Sequence, residues 1–205
     1  MTKHSFIALC CALLCSMGNL SAQFQGGFSI GVNAAQIDGD GVSGYNKMGL
    51  NLGGYLRSPI DKYQGVQIEM LFEQLGSLGK FSYPNFRMNY ASVPLLYCIT
   101  LPVQINGSEP LIDFHLGVSP GYLLGAKNVY TDSDISPFVH KVDFRALGGL
   151  SLRLSNHLSV LFRGGYSLVP FMGVSQRGSV ASSLLVEGVG PNHNYINLAL
   201  RWKLQ

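Results

Sequence analysis

Two glycine-containing strings carry residue types that could take part in catalysis or in phosphate binding. Residues 27–31 have the G-x-S-x-G spacing of a hydrolase nucleophile at Ser29, and residues 39–44 have the G-x-G-x-x-G spacing of a phosphate-binding loop. Both motifs need a helix directly afterwards, because the nucleophile elbow is a strand-to-helix turn and a helix N-terminus binds the phosphate. The residues around both strings instead alternate as a β-strand does. We therefore interpret Ser29 as a strand residue and residues 39–44 as a surface loop.

Other polar side chains have the chemistry of metal ligands or general bases. Asp38 and Asp40 begin like a calcium-binding loop, but Val42 stands at the next ligand position and no glutamate follows at the required distance. His115 falls on the same face of a predicted strand as Asp113, and we interpret it as a hydrogen-bonded interior histidine. The sequence predicts no catalytic residue, no cofactor and no metal site.

Most of the chain alternates between apolar and polar residues with a period of two, which places the two sets on opposite faces of β-strands. In the last segment, for example, Leu198 and Leu200 share one face and Arg201 lies on the other. No window has a sustained helical period. We predict eight strands, over Gly26–Ile37, Met48–Arg57, Tyr63–Gln74, Phe86–Thr100, Leu111–Leu124, His140–Leu154, Leu158–Val169 and Asn194–Leu204.

The first 22 residues have the pattern of a secretory signal peptide. Lys3 and His4 precede an apolar stretch over residues 6–17, which is too short to span a bilayer as a helix, and a segment ending in Ala22 provides the cleavage site. We predict that residues 23–205 form the exported domain. Of the four cysteines only Cys98 lies in that domain, so no intramolecular disulfide is expected.

The composition of the chain indicates which face of the strands meets which solvent. Charged residues make up 12% of the chain, whereas soluble proteins contain about 25%. A net charge of +3, scattered along the chain, argues against nucleic-acid binding. The polar faces contain mainly Gly, Ser and Asn and carry too few charges for a water-exposed exterior. We therefore expect these faces to line a narrow interior, and the aliphatic faces to contact lipid with Trp202 and tyrosines near the headgroups.

The predicted connections alternate in length. Residues 38–47, 76–85, 125–139 and 170–193 form long connections, whereas residues 58–62 and 155–157 form short ones. Residues 101–109 are intermediate and contain Asn106-Gly107, a tight-turn signal. Long loops at one end, with short turns and both termini at the other, are typical of outer-membrane barrels. The fold prediction is an all-β, eight-stranded antiparallel up-and-down transmembrane β-barrel located in the cell outer membrane.

An eight-stranded barrel has an interior that side chains just fill, and an unpaired charge there would be costly. We therefore expect the acids of the polar faces to pair with arginines in a structural cluster inside the barrel. This predicted lumen charge cluster comprises Arg57, Glu69, Glu73, Asp113, Asp143, Arg145, Arg163 and Arg201.

Three segments, at residues 90–96, 143–150 and 163–166, together resemble one known family, the PorT-like family of small outer-membrane β-barrel proteins from Bacteroidetes-type bacteria. Tyr90–Leu96, with Pro94 after an aliphatic residue, is similar to the fourth strand of that family, and we expect Pro94 to lie at a bulge. Residues 143–150 and 163–166 are similar to its sixth and seventh strands. Ser92 stands where an acid is common, and Arg145 where glycine is common. The resemblance implies the fold and the outer-membrane location, and the namesake protein belongs to a secretion apparatus.

We predict a structural or interaction role, as an accessory of a secretion or envelope complex, without catalytic activity. The expected partners are outer-membrane lipid and envelope proteins that bind the long loops or the periplasmic turns. The alternatives are a narrow channel, a soluble periplasmic lipocalin-like ligand-binding barrel and a membrane enzyme. The enzyme would use His157 and Ser159, which are spaced as in a lipid A deacylase-like barrel. We expect both residues at a short turn with lumen-facing side chains, whereas such an enzyme acts at the outer rim and faces the membrane.

Overall fold

A computed structural model of the chain describes residues 24–38, 44–78, 85–101, 112–172 and 192–204. These ranges contain nine β-strands and one short 3-10 helix, Ser136–Phe138. The strands are β1 Gln25–Ile37, β2 Lys47–Pro59, β3 Gln64–Ser77, β4 Phe86–Ser92, β5 Leu95–Thr100, β6 Ile112–Asn128, β7 Val142–Arg153, β8 Leu158–Ser167 and β9 His193–Lys203. None of the helices in the described ranges is long and apolar enough to cross a membrane.

The strands form a closed antiparallel barrel. Strands that follow one another in the chain pair with each other, except β4 and β5, and β1 also pairs with β9 from Gly27 opposite Lys203 to Ile37 opposite His193. Both β4 and β5 lie between β3 and β6, so together they form one of the eight strands of the barrel, the fourth. The predicted eight-stranded up-and-down barrel is confirmed, and its fourth strand is divided only at residues 93 and 94.

The predicted bulge at Pro94 is wrong. Ser92 pairs with Leu71 and Leu95 pairs with Ile68. The register of β4 and of β5 against β3 is therefore the same on both sides of the proline. The Glu69 N–H donates to the Pro94 carbonyl at 2.9 Å. The proline therefore keeps its acceptor and lacks only an amide donor, which does not shift the register. The register shift lies in β6, where Leu124 is the extra residue opposite β4.

The outer wall of the barrel is apolar and its interior is mainly polar. Large hydrophobic side chains point outward along the strands, for example Leu116, which is 70% exposed, and Met70, which is 73% exposed. Side chains of the opposite phase are buried, among them seven of the eight residues of the predicted cluster. Trp202 and Tyr97 are exposed near one end of this wall and Tyr122 and Tyr166 toward the other.

The two ends of the barrel differ. The turn end carries Phe24, Leu204 and the short connections 60–63 and 154–157. The loop end carries the connections 38–46, 78–85, 129–141 and 168–192. The predicted signal peptide, the Asn106-Gly107 turn and most of the last long loop lie outside the described residues.

Candidate functional site

The strands place the charged residues of the predicted cluster inside the barrel, where five ion pairs or close contacts connect them and a sixth joins Asp113 to Arg153. The residues fall into three groups along the axis, each built on an acid of one strand and an arginine from a strand that is not its neighbour. We call them the Arg145 group, the Glu69 group and the Asp113 group.

The Arg145 group, with Glu73, Asp143 and Ser92, lies toward the loop end. Arg145 is fully buried, and its Nη1 donates to Glu73 Oε2 at 2.7 Å. Its Nε lies 3.1 Å from Asp143 Oδ2, an ion-pair distance without hydrogen-bond alignment. Its Nη2 donates to Ser92 Oγ at 2.5 Å. Ser92 and Arg145, two positions that differ from the family that the sequence resembles, are therefore in contact.

The Glu69 group, with Arg163, Arg201 and Gln67, crosses the middle of the lumen. Arg163 donates from Nη1 and Nη2 to the two carboxylate oxygens of Glu69, each at 2.8 Å. Gln67 Nε2 also donates to Glu69, and Arg201 Nη2 reaches the same carboxylate at 3.5 Å. A two-point contact between a guanidinium and a carboxylate fixes orientation as well as distance. This pair therefore holds β8 against β3 across the barrel.

The Asp113 group, with Arg57, Thr100 and Arg153, lies nearest the turn end. Arg57 Nη1 donates to Asp113 Oδ1 at 3.1 Å, and Arg57 Nη2 donates to Thr100 Oγ1 at 2.9 Å. Thr100 donates its hydroxyl to the same carboxylate. Arg153 Nη2 lies 3.9 Å from Asp113 Oδ2. The sequence analysis left Arg153 out of the cluster, although it follows Ser151 with the same two-residue period.

Glycines on the inner face make room for these bulky side chains. A Cβ at Gly121 would lie 2.6 Å from Arg145 Nη2, and a Cβ at Gly165 would lie 2.3 Å from the Tyr195 ring. The rings of Tyr90 and Tyr195 lie 5.5 and 5.6 Å from the Arg145 guanidinium carbon. The glycine content of the chain therefore serves the packing of the lumen at these positions.

The candidate catalytic residues have ordinary surroundings in the described part of the chain. Ser29 lies within β1, paired with both neighbouring strands, and no helix follows it. His115 has a partner at each ring nitrogen, with Nε2 2.9 Å from Ser151 Oγ and Nδ1 3.4 Å from Cys98 Sγ.

The predicted lumen-facing side chain of His157 is wrong. Its ring stacks on the outward-facing Trp202 with ring centroids 5.8 Å apart. The residue lies in the turn between β7 and β8, where the two-residue period of the strands no longer applies. Within the described ranges, no group of three or more His, Cys, Asp or Glu side chains is arranged to hold a metal ion.

A cluster of buried apolar side chains, which we call the plug, lies at the loop end of the lumen. It consists of strand residues and of two loop segments that fold inward over the mouth, and its main members are Ile37, Leu75, Phe86, Met88, Leu123, Ile135, Val139, Phe171 and Met172. The Phe171 ring packs 6.2 Å from Phe86 and 4.8 Å from His193. The His140 N–H donates to the Phe171 carbonyl at 2.8 Å, which ties the two loop segments together. The sequence analysis did not predict this plug.

Comparisons with known proteins point to outer-membrane barrels. Residues 7–183 match the family model described as the outer membrane protein beta-barrel domain. The crystal structure of Ail, the attachment invasion locus protein of Yersinia pestis, is 15% identical with a TM-score of 0.50, covering 88% of this chain and 98% of Ail. That of Neisserial surface protein A is 11% identical with a TM-score of 0.52, covering 88% and 97%. At these identities the likeness concerns the fold alone. No curated protein matched the chain.

Proposed function

The chain belongs to the outer membrane protein beta-barrel domain family and is an integral barrel of the outer membrane, and on this premise we propose a structural or interaction role within the cell envelope. In this proposal residues 1–22 are removed on export, the loop end faces outward and the turn end faces the periplasm, as in other barrels with this asymmetry. The barrel acts through its two ends, as an accessory of an envelope or secretion complex of the PorT-like type, and has no catalytic site.

The filled lumen is the observation that carries this proposal. The ionic groups cross the barrel from the Arg145 group toward the loop end to the Asp113 group nearest the turn end, and the apolar plug covers the loop end. Buried side chains across the described part of the lumen leave little space for solutes, which favours a function that depends on the surfaces of the barrel. Loops on a rigid scaffold are the usual location of binding residues. Exposed side chains at the loop end, such as Tyr130 at 55% exposure, support an interaction there.

The lumen and the outer wall argue against two of the three alternatives, the channel and the soluble barrel. A narrow channel would need a continuous opening, whereas Arg145, Arg163 and Tyr195 are buried across the lumen. A soluble ligand-binding barrel would expose charge to water, whereas the outer wall is a continuous band of aliphatic side chains.

Site-specific photo-crosslinking in outer membranes tests the proposal. A photoreactive amino acid replaces Tyr130 at the loop end, Ile60 at the turn end or, as the matched control, the outer-wall residue Leu116. We expect a discrete protein adduct from Tyr130 or Ile60 and only lipid adducts from Leu116.

Planar-bilayer recording of the purified protein separates this role from a channel. We expect no single-channel steps because buried side chains cross the lumen at two levels. Steady conductance steps, combined with no protein adduct from either end of the barrel, would replace the proposal by the channel.

A further inference from the structure

The turn end of the lumen contains a small polar pocket that the proposed function leaves without a role. Its volume is about 50 Å³, and it lies under the turn between β7 and β8. One water needs roughly 10–15 Å³ of such space, so the pocket has room for a few waters or for one small polyatomic ion. Side chains of the inner face line it, including Arg57, Arg153, Arg201 and Lys203.

The charges around this pocket are unequal. Four basic side chains line it, whereas Asp113 is the one carboxylate among its described lining residues. Asp113 is already 3.1 Å from Arg57 and 3.9 Å from Arg153, so it serves two of the four cations. The excess positive charge therefore lies on the side of the pocket formed by β9, which carries Arg201 and Lys203.

Arg201 has donors that the described part of the protein does not use. It is 4% exposed, and its one hydrogen bond there is the 3.5 Å contact from Nη2 to Glu69. Its guanidinium carbon lies 3.9 Å from the centroid of the Tyr55 ring, which orients the group but accepts no N–H in the plane. A guanidinium has five N–H donors, and Arg201 lines the pocket, so its remaining donors are available to a ligand there.

Lys203 supplies a second available cation beside Arg201. It follows Arg201 with the two-residue period of β9, is half-buried and lines the same pocket. Among the described residues, no carboxylate lies within ion-pair distance of its ammonium. The pocket thus combines space, excess positive charge and unused donors.

We propose that the turn-end pocket binds a small oxyanion of the phosphate class. Guanidinium and ammonium groups are the donors that proteins use for such anions, and a planar guanidinium can contact two oxygens at once. The anion is a free solute rather than a lipid headgroup, because lumen-facing side chains line the pocket and the barrel wall separates it from the bilayer. This inference is independent of the proposed function.

Thermal unfolding of the full mature chain in a non-ionic detergent tests this inference. Inorganic phosphate is titrated against sodium chloride at equal ionic strength, since a ligand that binds the folded state raises the unfolding temperature. We expect a saturable rise with phosphate that chloride does not reproduce. Identical curves for the two salts would overturn the proposal.

Two variants identify the residues that bind the anion. Lys203→Gln should weaken the apparent phosphate affinity about tenfold, the loss of one favourable contact of about 1.4 kcal/mol. The control is Lys127→Gln, an exposed lysine at the loop end that should leave the affinity unchanged. Arg201→Gln should abolish saturation. If it fails to fold, Lys203→Gln decides, and an unchanged phosphate affinity in that variant would refute the site.

Nanodiscs distinguish the two sources of a phosphate group. The free-solute proposal predicts the same phosphate affinity in nanodiscs of phosphatidylcholine alone and in nanodiscs that also contain phosphatidylglycerol. Competition by phosphatidylglycerol would mean that a headgroup occupies the pocket, which would contradict the free solute.

Discussion

The ion pairs inside the barrel connect strands that do not pair with each other. Glu69 on β3 holds Arg163 on β8, Glu73 on β3 holds Arg145 on β7, and Asp113 on β6 holds Arg57 on β2. Main-chain hydrogen bonds fix each strand to its neighbours only, so these side chains are cross-links between opposite walls. The role of the eight residues as a structural cluster is our proposal, and their substitution tests it.

We expect Arg163→Leu to lower the free energy of unfolding by about 3–5 kcal/mol, because the buried carboxylate of Glu69 loses its two-point cation contact. It keeps only the Gln67 amide and the 3.5 Å contact to Arg201 among its described partners. The measurement is urea unfolding after refolding into lipid vesicles, followed by the fluorescence of Trp202, the single tryptophan of the chain.

Arg87→Leu is the matched control for this substitution. Arg87 lies on β4 near the loop end with its side chain exposed, so its replacement should change the stability by less than about 0.5 kcal/mol. Adding Glu69→Gln to Arg163→Leu should recover part of the loss, since the unpaired charge is then removed. Similar losses from Arg163→Leu and Arg87→Leu would contradict the cross-link.

At the level of the strands, the sequence predicted the strands themselves and their two faces, because both depend on a two-residue alternation of apolar and polar residues. The eight strands of the barrel and the inward placement of their polar faces follow from this alternation, because a shift of the strand register by one residue would exchange the two faces. Which charged residues form ion pairs with each other depends on the stagger of eight strands around the barrel. That stagger cannot be read from a single sequence. The plug was missed for a different reason. Phe86 and Met88 share the inward phase with polar residues such as Ser92, and the segments that cover them are loops without a period.

Adjacent glycines of β8 provide a test of the two faces. A Cβ at Gly165 would meet the buried Tyr195 ring at 2.3 Å, whereas the nearest neighbour of a Cβ at Gly164 is the Gly148 carbonyl oxygen at 3.8 Å. Gly165→Ala should therefore cost about 1–3 kcal/mol through overpacking, and Gly164→Ala should be nearly neutral. The readout is the temperature at which the folded band disappears in gels of unboiled samples. The reverse order of the two variants would refute the inward placement of Gly165.

The plug predicts a difference between stability and permeability. Phe171→Ala removes a buried ring that contacts Phe86 and His193, so it should destabilise the protein by up to about 3–5 kcal/mol. It should open no pore, because the ion pairs of Arg145 and Arg163 still cross the lumen below. Urea unfolding and bilayer recording of the same preparation measure the two effects. Phe24→Ala, at a residue that is 66% exposed, is the control. Conductance steps in Phe171→Ala would show that the plug is the only barrier.

On the scale of the whole molecule, the barrel is an inverted arrangement of a soluble protein, with charges inside and an aliphatic wall outside. That arrangement is stable only where hydrocarbon surrounds the apolar wall. Hydrocarbon cannot solvate a charge that is introduced on this wall, whereas water can. The cost of a charge on the wall should therefore depend on its depth in the bilayer. A soluble barrel would show no such dependence.

Two leucines of the last strand test this depth dependence with the same substitution. Leu198, at the middle of β9, is 52% exposed on the wall, and Leu204, just beyond the end of the strand, is 45% exposed. In lipid vesicles Leu198→Arg should lower the free energy of unfolding by about 2–4 kcal/mol and Leu204→Arg by about 0–1 kcal/mol. Because both changes place the same charge at similarly exposed positions, a difference between them reports the bilayer rather than the local packing. If Leu198→Arg and Leu204→Arg were tolerated equally, the wall at Leu198 would be in contact with water.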